Sequence, residues 1–204
     1  MFTNYPDVTL SLFQRIVYSS ILVVSLALIY LFAFEGMRFF LVPSSSMEPT
    51  LIPPEYLITF RQDHYERGDI VVLDDPETLE AFLVKRIVGV AGDTLSSRGG
   101  ALFIDGQYAS EPYVAEPINY MMEEFQIEEG HIFVLGDNRN VSVDSHNWEA
   151  DAPITNEREL RASMIARPKS VPRDSVVGKV RYVYLPLNRI RAVHSYPLTN
   201  LYGE

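Results

Sequence analysis

An antiparallel β domain carried behind one membrane-spanning helix is the fold this sequence predicts. Three observations lead there. One long uncharged apolar run lies near the N-terminus, short runs of branched and aromatic residues follow it, and Gly, Asp and Pro turn residues punctuate those runs at close intervals. The 204 residues allow one domain with a proper core plus an appendage.

The first element is the run from Ile16 to Phe34, IVYSSILVVSLALIYLFAF. A helix of about 19 residues, at about 1.5 Å each, just crosses a hydrocarbon core of about 30 Å. Arg15 bounds the run on one side, and Glu35, Gly36 and Arg38 on the other; Tyr18 and Tyr30 fall near its ends, where amphipathic rings sit. A cleaved signal peptide would have a basic start and a small-x-small site after a shorter apolar region. Here the start contains Asp7, and Glu-Gly-Met-Arg-Phe-Phe follows the run. The expected organisation is a short cytoplasmic N-terminus (1–15), a retained transmembrane anchor (16–35) and a β-rich domain (36–204). Arginines flank both ends, so charge alone leaves the orientation open.

The strand-like runs are YLITF (Tyr56 to Phe60), DIVVL (Asp69 to Leu73), AFLVKRIVGV (Ala81 to Val90), ALFID (Ala101 to Asp105), HIFVL (His131 to Leu135) and VVGKVRYVYL (Val176 to Leu185). Asp105-Gly106 between ALFI and QYAS is a hairpin signal. One segment departs from the pattern: the polar stretch at about 149–170 reads as a surface insertion with one short helix in NERELRASM. The tail from Asn188 is weakly patterned, and loose packing is expected there.

Composition excludes several function classes. A formal net charge of −10 argues against nucleic-acid binding, which needs Lys and Arg against phosphates. The absence of cysteine removes disulfides, thiol nucleophiles and cysteine-based zinc sites. The four histidines show no ligand spacing, so neither a metal nor another cofactor is expected.

Two residues carry the chemistry. Lys85 lies inside an apolar strand run, sharing a face with Leu83 and Ile87, while Val84, Arg86 and Val88 point the other way. Such surroundings disfavour an ammonium, and a neutral lysine is a base. The plainer alternative is a lysine whose stem lies on apolar surface while its amine reaches water. Ser46 sits in PSSSMEPTL (Pro43 to Leu51), bordered by Val42, Met47 and Leu51. A serine hydroxyl needs a base to become a nucleophile, although a serine run before Pro49 can equally be a solvated turn. A third cluster, GDNRNVSVDSHNW (Gly136 to Trp148), follows a strand and is either a hydrogen-bonded turn or a loop that orients a base.

PSSSMEPTL, RGDIVVL (Arg67 to Leu73), VKRIVGVAGDTL (Val84 to Leu95) and GDNRNVSVDS (Gly136 to Ser145), in this order behind an anchor, resemble the boxes of the bacterial type I signal peptidases. The match resumes at VVGKVRYVYLP (Val176 to Pro186). The resemblance implies a membrane serine endopeptidase of the Ser–Lys type, which cuts signal peptides from exported preproteins after small residues at −1 and −3. It implies Ser46 as nucleophile, Lys85 as general base, and Ser44 with the Ser46 N–H as oxyanion hole. Ser142 would orient the Lys85 amine, Asp144 would support the Ser142 loop, and Asp137 would pair with Arg86. Val42, Met47, Leu51, Leu83 and Val84 would form the substrate pockets. Preprotein signal peptides and the bilayer are the implied partners, with secretion machinery a further one. The domain would face the periplasm, the outside or a thylakoid lumen, with Phe39, Phe40 and Leu41 dipping into the outer leaflet.

The chain departs from the family pattern at Val141, where Asn is common, and at His146, where an Arg normally pairs with the Asp; His146 resembles the cyanobacterial and plastid members instead and weakens the claim of a salt bridge at Asp144. Glu149 replaces a usual Gly. A self-cleaving repressor of related chemistry would carry a DNA-binding domain where this chain has its apolar span. An inactive peptide-binding relative would lack Ser46 or Lys85, and both are present.

Overall fold

In the computed structural model, which describes residues 11–33, 36–78, 80–148 and 168–198, the uncharged run as far as Ala33 lies in one helix, α1 (Leu12–Ala33). It begins four residues before the apolar span because SLFQ makes a capping box. The Gln14 N–H donates to Ser11 Oγ at 3.3 Å, and the Ser11 N–H donates to Gln14 Oε1 at 2.9 Å. At about 1.5 Å per residue the helix is about 33 Å long, and none of its side chains is buried. By length and composition it can cross a membrane.

The chain divides between Met37 and Arg38, and the second unit is built from antiparallel strands: β1 (Arg38–Val42), β2 (Glu55–Phe60), β3 (Ile70–Asp74), β4 (Phe82–Val90), β5 (Thr94–Arg98), β6 (Ala101–Ile104), β7 (Gln107–Tyr108), β8 (Met122–Gln126), β9 (His131–Leu135), β10 (Val171–Pro172), β11 (Val176–Leu185) and β12 (Arg191–Ala192). The larger sheet runs β1-β2-β11-β3-β4-β9-β10, with β12 on β11; the smaller runs β7-β6-β5-β8. The fold class is thus mainly antiparallel β with one N-terminal apolar helix.

The central strands explain the sequence runs. β3 is apolar from Ile70 to Leu73 because both its faces are covered there. Ile70 and Val72 enter a cluster with Val42, Met47, Leu51, Leu57, Val180 and Val183. Val71 and Leu73 enter a second cluster with Ile87, Ile132, Val134 and Trp148. The smaller sheet closes over a third, in which Leu95, Leu102 and Ile104 meet Val88, Phe133 and Leu135. Asp105 and Gly106 take φ of 52° and 75°, the turn with two left-handed residues that suits the twist of a hairpin.

Several elements differ from the expectations. β1 is RFFLV, read above only as a membrane-dipping run; it pairs residue for residue with β2. Its alternation turns Phe40 inward, edge-to-face with Phe82 at 5.2 Å, and leaves Phe39 and Leu41 exposed. β5 is too polar to read as a strand, and is one because β6 and β8 bond it on both sides. The tail is packed as far as Leu198, which is buried in the third cluster, while Val193 is buried in the first. Tyr196 bonds back to the Gly68 carbonyl at 3.2 Å. A Cβ on Gly68 would lie 1.6 Å from the Tyr196 oxygen, so only glycine admits that approach. The short helix expected in NERELRASM lies outside the described residues.

Candidate active site

β4 places Lys85 and Arg86 back to back. Lys85 pairs across the strand with Val71, on the face of Leu83 and Ile87; Arg86 pairs with Ile70. Lys85 is 3% exposed, and its Nζ donates to Ser142 Oγ at 2.8 Å. Burial pushes the amine below the ordinary lysine value, against the opposing pull of Asp144, Asp75 and Asp137. The snorkelling alternative does not describe this lysine.

Ser46 sits in a single 3-10 turn, Ser45–Met47, anchored by Met47 in the first apolar cluster. Ser44, extended before the turn, donates to the Ser46 hydroxyl at 3.3 Å. The turn is tied to the loop after β9 at two points: the Asn138 N–H donates to Ser46 O at 3.0 Å and Asn138 Nδ2 to Ser45 O at 3.2 Å. Gly136 lets the two loops touch. A Cβ there would fall 2.4 Å from Ser46 O and 2.3 Å from Ser142 Oγ. Both atoms therefore lie within about 5 Å of each other, and the Lys85 amine is one hydrogen bond further on. The structure thus brings Ser44, Ser46, Lys85 and Ser142 into one place from three separate stretches of chain.

Asp144 lies beneath them, fully buried. Its Oδ2 accepts the Gly136 N–H at 2.8 Å, and its Oδ1 accepts from His146 Nδ1 at 2.6 Å and from the His146 N–H at 3.3 Å. Burial raises the pKa of this carboxyl, but bonds from His146 and Ser142 and the charges of His146 and Lys85 win and hold it below the ordinary value. With no Arg at position 146, the imidazole Nδ1 of His146 itself reaches the carboxylate across two residues. His146 is also stacked on Tyr120, 3.9 Å between centroids and 6° between planes.

On the opposite face Asp137 accepts two bonds from Arg86, Nε to Oδ1 at 2.8 Å and Nη2 to Oδ2 at 2.7 Å, and Thr50 caps the same oxygen. Both charges are buried, so each depends on the other. Arg86 Nη1 donates to Gly68 O at 2.8 Å, and the guanidinium lies 3.9 Å over the Tyr113 ring. Sequence reasoning missed the neighbouring fork. Arg139, buried, binds both oxygens of Glu111 at 2.8 and 2.6 Å and the Gly136 carbonyl at 3.0 Å. Glu111 is far off in sequence and in no motif. Asn138 and His146 were also missed as site residues; their place between Gly136 and Trp148 was the available signal.

The five expected pocket residues do not share one wall. Val42 (2% exposed), Met47 and Leu51 (both 0%) are buried in the core. Only Leu83 and Val84 are partly open, and strand alternation sends Leu83 to the Trp148 cluster and Val84 to that of Met47. Apolar residues beside a short turn are drawn into the core beneath it.

Comparison with known proteins gives this arrangement its context. A signal peptidase I of Bacillus licheniformis is 32% identical over 195 residues, covering 89% of this chain and 92% of that protein. Thylakoidal processing peptidase 1 of Arabidopsis thaliana is 37% identical over 129 residues, 56% of this chain; the chain spans only 38% of that plastid relative's length. Among solved structures, a signal peptidase I of Enterococcus faecalis V583 aligns with a TM-score of 0.40 at 27% identity, over 58% of this chain and 98% of that one. The family model described as signal peptidase, peptidase S26 matches residues 12–185, from the apolar helix through both loops to the end of β11. With so much of its length matched, the chain belongs to the peptidase S26 signal peptidase family.

Proposed function

We propose that this chain is a single-pass membrane serine endopeptidase that removes N-terminal signal peptides from exported preproteins, with Ser46 as nucleophile and Lys85 as general base. The observation that carries the reading is the Lys85 amine: 3% exposed, bonded to a neutral hydroxyl, and within two contacts of the Ser46 backbone. Buried without a direct carboxylate bond, such an amine favours its free-base form. If the Ser142 hydroxyl donates to Asp144, it presents a lone pair to Nζ, and the lone pair of the amine stays available for Ser46.

In the forward step Lys85 takes the Ser46 proton as Oγ attacks the scissile carbonyl carbon. The developing oxyanion is held by the Ser44 hydroxyl and the Ser46 N–H; a donor of this kind is worth about 10²–10³ in rate. The Lys85 ammonium then protonates the leaving nitrogen, and the mature chain departs while the signal peptide remains as an ester on Ser46. Water, deprotonated by Lys85, attacks the ester and restores Ser46. Arg86–Asp137 and Asp144 hold the loops rather than touch substrate. Leu83 and Val84, the partly open residues of the five, lie on opposite faces of β4 and would meet different parts of the substrate. The anchor is α1, the β unit lies on the extracytoplasmic side, and the bilayer and export machinery are its setting.

The test is incubation of the detergent-solubilised full chain with a preprotein, reading the cut site by mass. Ser46→Ala and Lys85→Ala should each abolish cleavage while leaving the thermal transition in place. Cleavage surviving either change overturns the assignment.

A further inference from the structure

His146 has a place in the site that the reaction described above does not use. Its Nδ1 is 2.6 Å from Asp144 Oδ1, and its ring, 7% exposed, is clamped against Tyr120. Asp144 in turn is stabilised by the Ser142 hydroxyl, which receives the Lys85 amine at 2.8 Å. An unbroken line of polar contacts therefore runs imidazole, carboxylate, hydroxyl, amine. Both the neutral Nδ1–H tautomer and the imidazolium donate to Asp144, so the geometry is the same in either state and only the charge changes.

We infer that His146 is a positioning residue whose charge, relayed through Asp144 and Ser142, sets the pH range over which Lys85 is a free amine. The inference rests on the function proposed above. With an imidazolium beside it, Asp144 is neutralised locally and holds the Lys85 ammonium weakly, so the free amine appears at lower pH. With a neutral imidazole, the whole carboxylate charge bears on Lys85 and favours the ammonium. Among the described residues, Asp75 and Asp137 act on Lys85, Arg139 and Glu111 act on Tyr120, and the backbone N–H of Lys169 donates to Ser145 O at 2.8 Å.

The experiment compares pH profiles of preprotein cleavage (kcat/KM) by the full chain in detergent for wild type, His146→Arg and His146→Asn, with Ser46→Ala as control. Arg fixes a positive charge beside Asp144; Asn can donate to it without charge. The Arg variant should reach half-maximal rate about one pH unit below the Asn variant, with wild type between them. At a pH below both midpoints that is about a tenfold difference in rate. A residue that merely packs would lower all rates without separating the limbs, so superimposable limbs overturn the inference. Absence of Ser46-dependent cleavage in wild type instead overturns the function on which it rests. If either variant fails to fold, reciprocity supplies a second measurement. In imidazole-labelled protein, Lys85→Met should displace the His146 titration curve to higher pH by removing a cation, and an unmoved curve overturns the coupling.

Discussion

Replacing Gly136 by alanine tests the geometry of the site without removing any reactive group. The new Cβ would lie 2.3 Å from Ser142 Oγ, 2.6 Å from Ser142 Cβ and 2.4 Å from Ser46 O, where ordinary contacts begin at 3.4 Å. Relief therefore requires about 1 Å of separation between the Ser46 turn and the Ser142 loop, and neither can retreat freely. Ser46 O is held by the Asn138 N–H, and the Ser142 N–H is bonded to Asn138 O at 3.0 Å. Overpacking of this kind costs about 1–3 kcal/mol of stability, and a 1 Å displacement of reacting groups costs about 10²-fold in rate. The assay is single-turnover cleavage of a preprotein by the full chain, measured well below the thermal transition. The expected outcome is a rate about a hundredfold lower, with the Lys85-dependent pH profile retained. Cleavage within threefold of wild type would refute the claim that contact between the two loops places Ser46 against Lys85.

Three further predictions follow from the buried charges. Lys85→Met should raise stability at neutral pH while abolishing cleavage. Because the folded-state pKa of Lys85 lies below its unfolded value, the unfolded chain binds the extra proton. The burial penalty is therefore full below the folded pKa and is released as pH rises, so a pH series of melting temperatures should show the gain fading toward about pH 10.4. Asp144→Asn should have the opposite sense: a depressed carboxyl contributes stability above its unfolded pKa and loses it as pH falls through the folded one. Acid unfolding should accordingly be flatter in the variant. Arg86→Lys keeps the charge but loses the two-pronged bond to Asp137 and the planar stack on Tyr113; urea unfolding should show a loss of about 2–4 kcal/mol.

How far the sequence was readable depended on the kind of signal each element leaves. β3, β4, β9 and β11 are buried along much of their length and read as dense apolar runs, while Asp105-Gly106 marked its hairpin through chemistry local to the turn. β5, with four polar or charged residues of its five in TLSSR, is a strand only through its neighbours, and no local pattern announces it. The tail has the same character: Val193 and Leu198 are isolated apolar residues whose burial depends on where the chain turns back at Gly68. In the site, Ser46, Lys85 and the Gly136 loop stood out as local clusters. Glu111, which completes the Arg139 fork across 28 positions, left no local trace. Met47 and Leu51 border Ser46 in sequence, and both side chains are buried in the core beneath its turn, which adjacency in sequence does not show.

The exposed face of β1 and its neighbours supports a last prediction. Phe39 and Leu41 share one side of the sheet with Tyr56, Tyr182 and Tyr184. Phe39 meets the Tyr184 ring edge-on at 5.6 Å, and Tyr56 meets it at 5.9 Å. Phe39, Leu41, Tyr56 and Tyr182 are 38–51% exposed, a concentration of aromatic surface unusual for a face turned to water. β1 also begins only five residues after α1 ends. If that side rests on the bilayer, each large side chain gains about 1 kcal/mol on leaving water, enough together to hold the Ser46 turn at the depth where a membrane-bound signal peptide ends. The natural Trp148 is the chain's single tryptophan and is buried, so a second one is a clean depth reporter. In Leu41→Trp reconstituted in vesicles, the new fluorescence should be quenched by brominated acyl chains, whereas that of Trp148 in the parent should not. If instead the new indole is quenched by aqueous iodide and is indifferent to the brominated lipid, this face looks into solvent, and α1 alone must bring the site to its substrate.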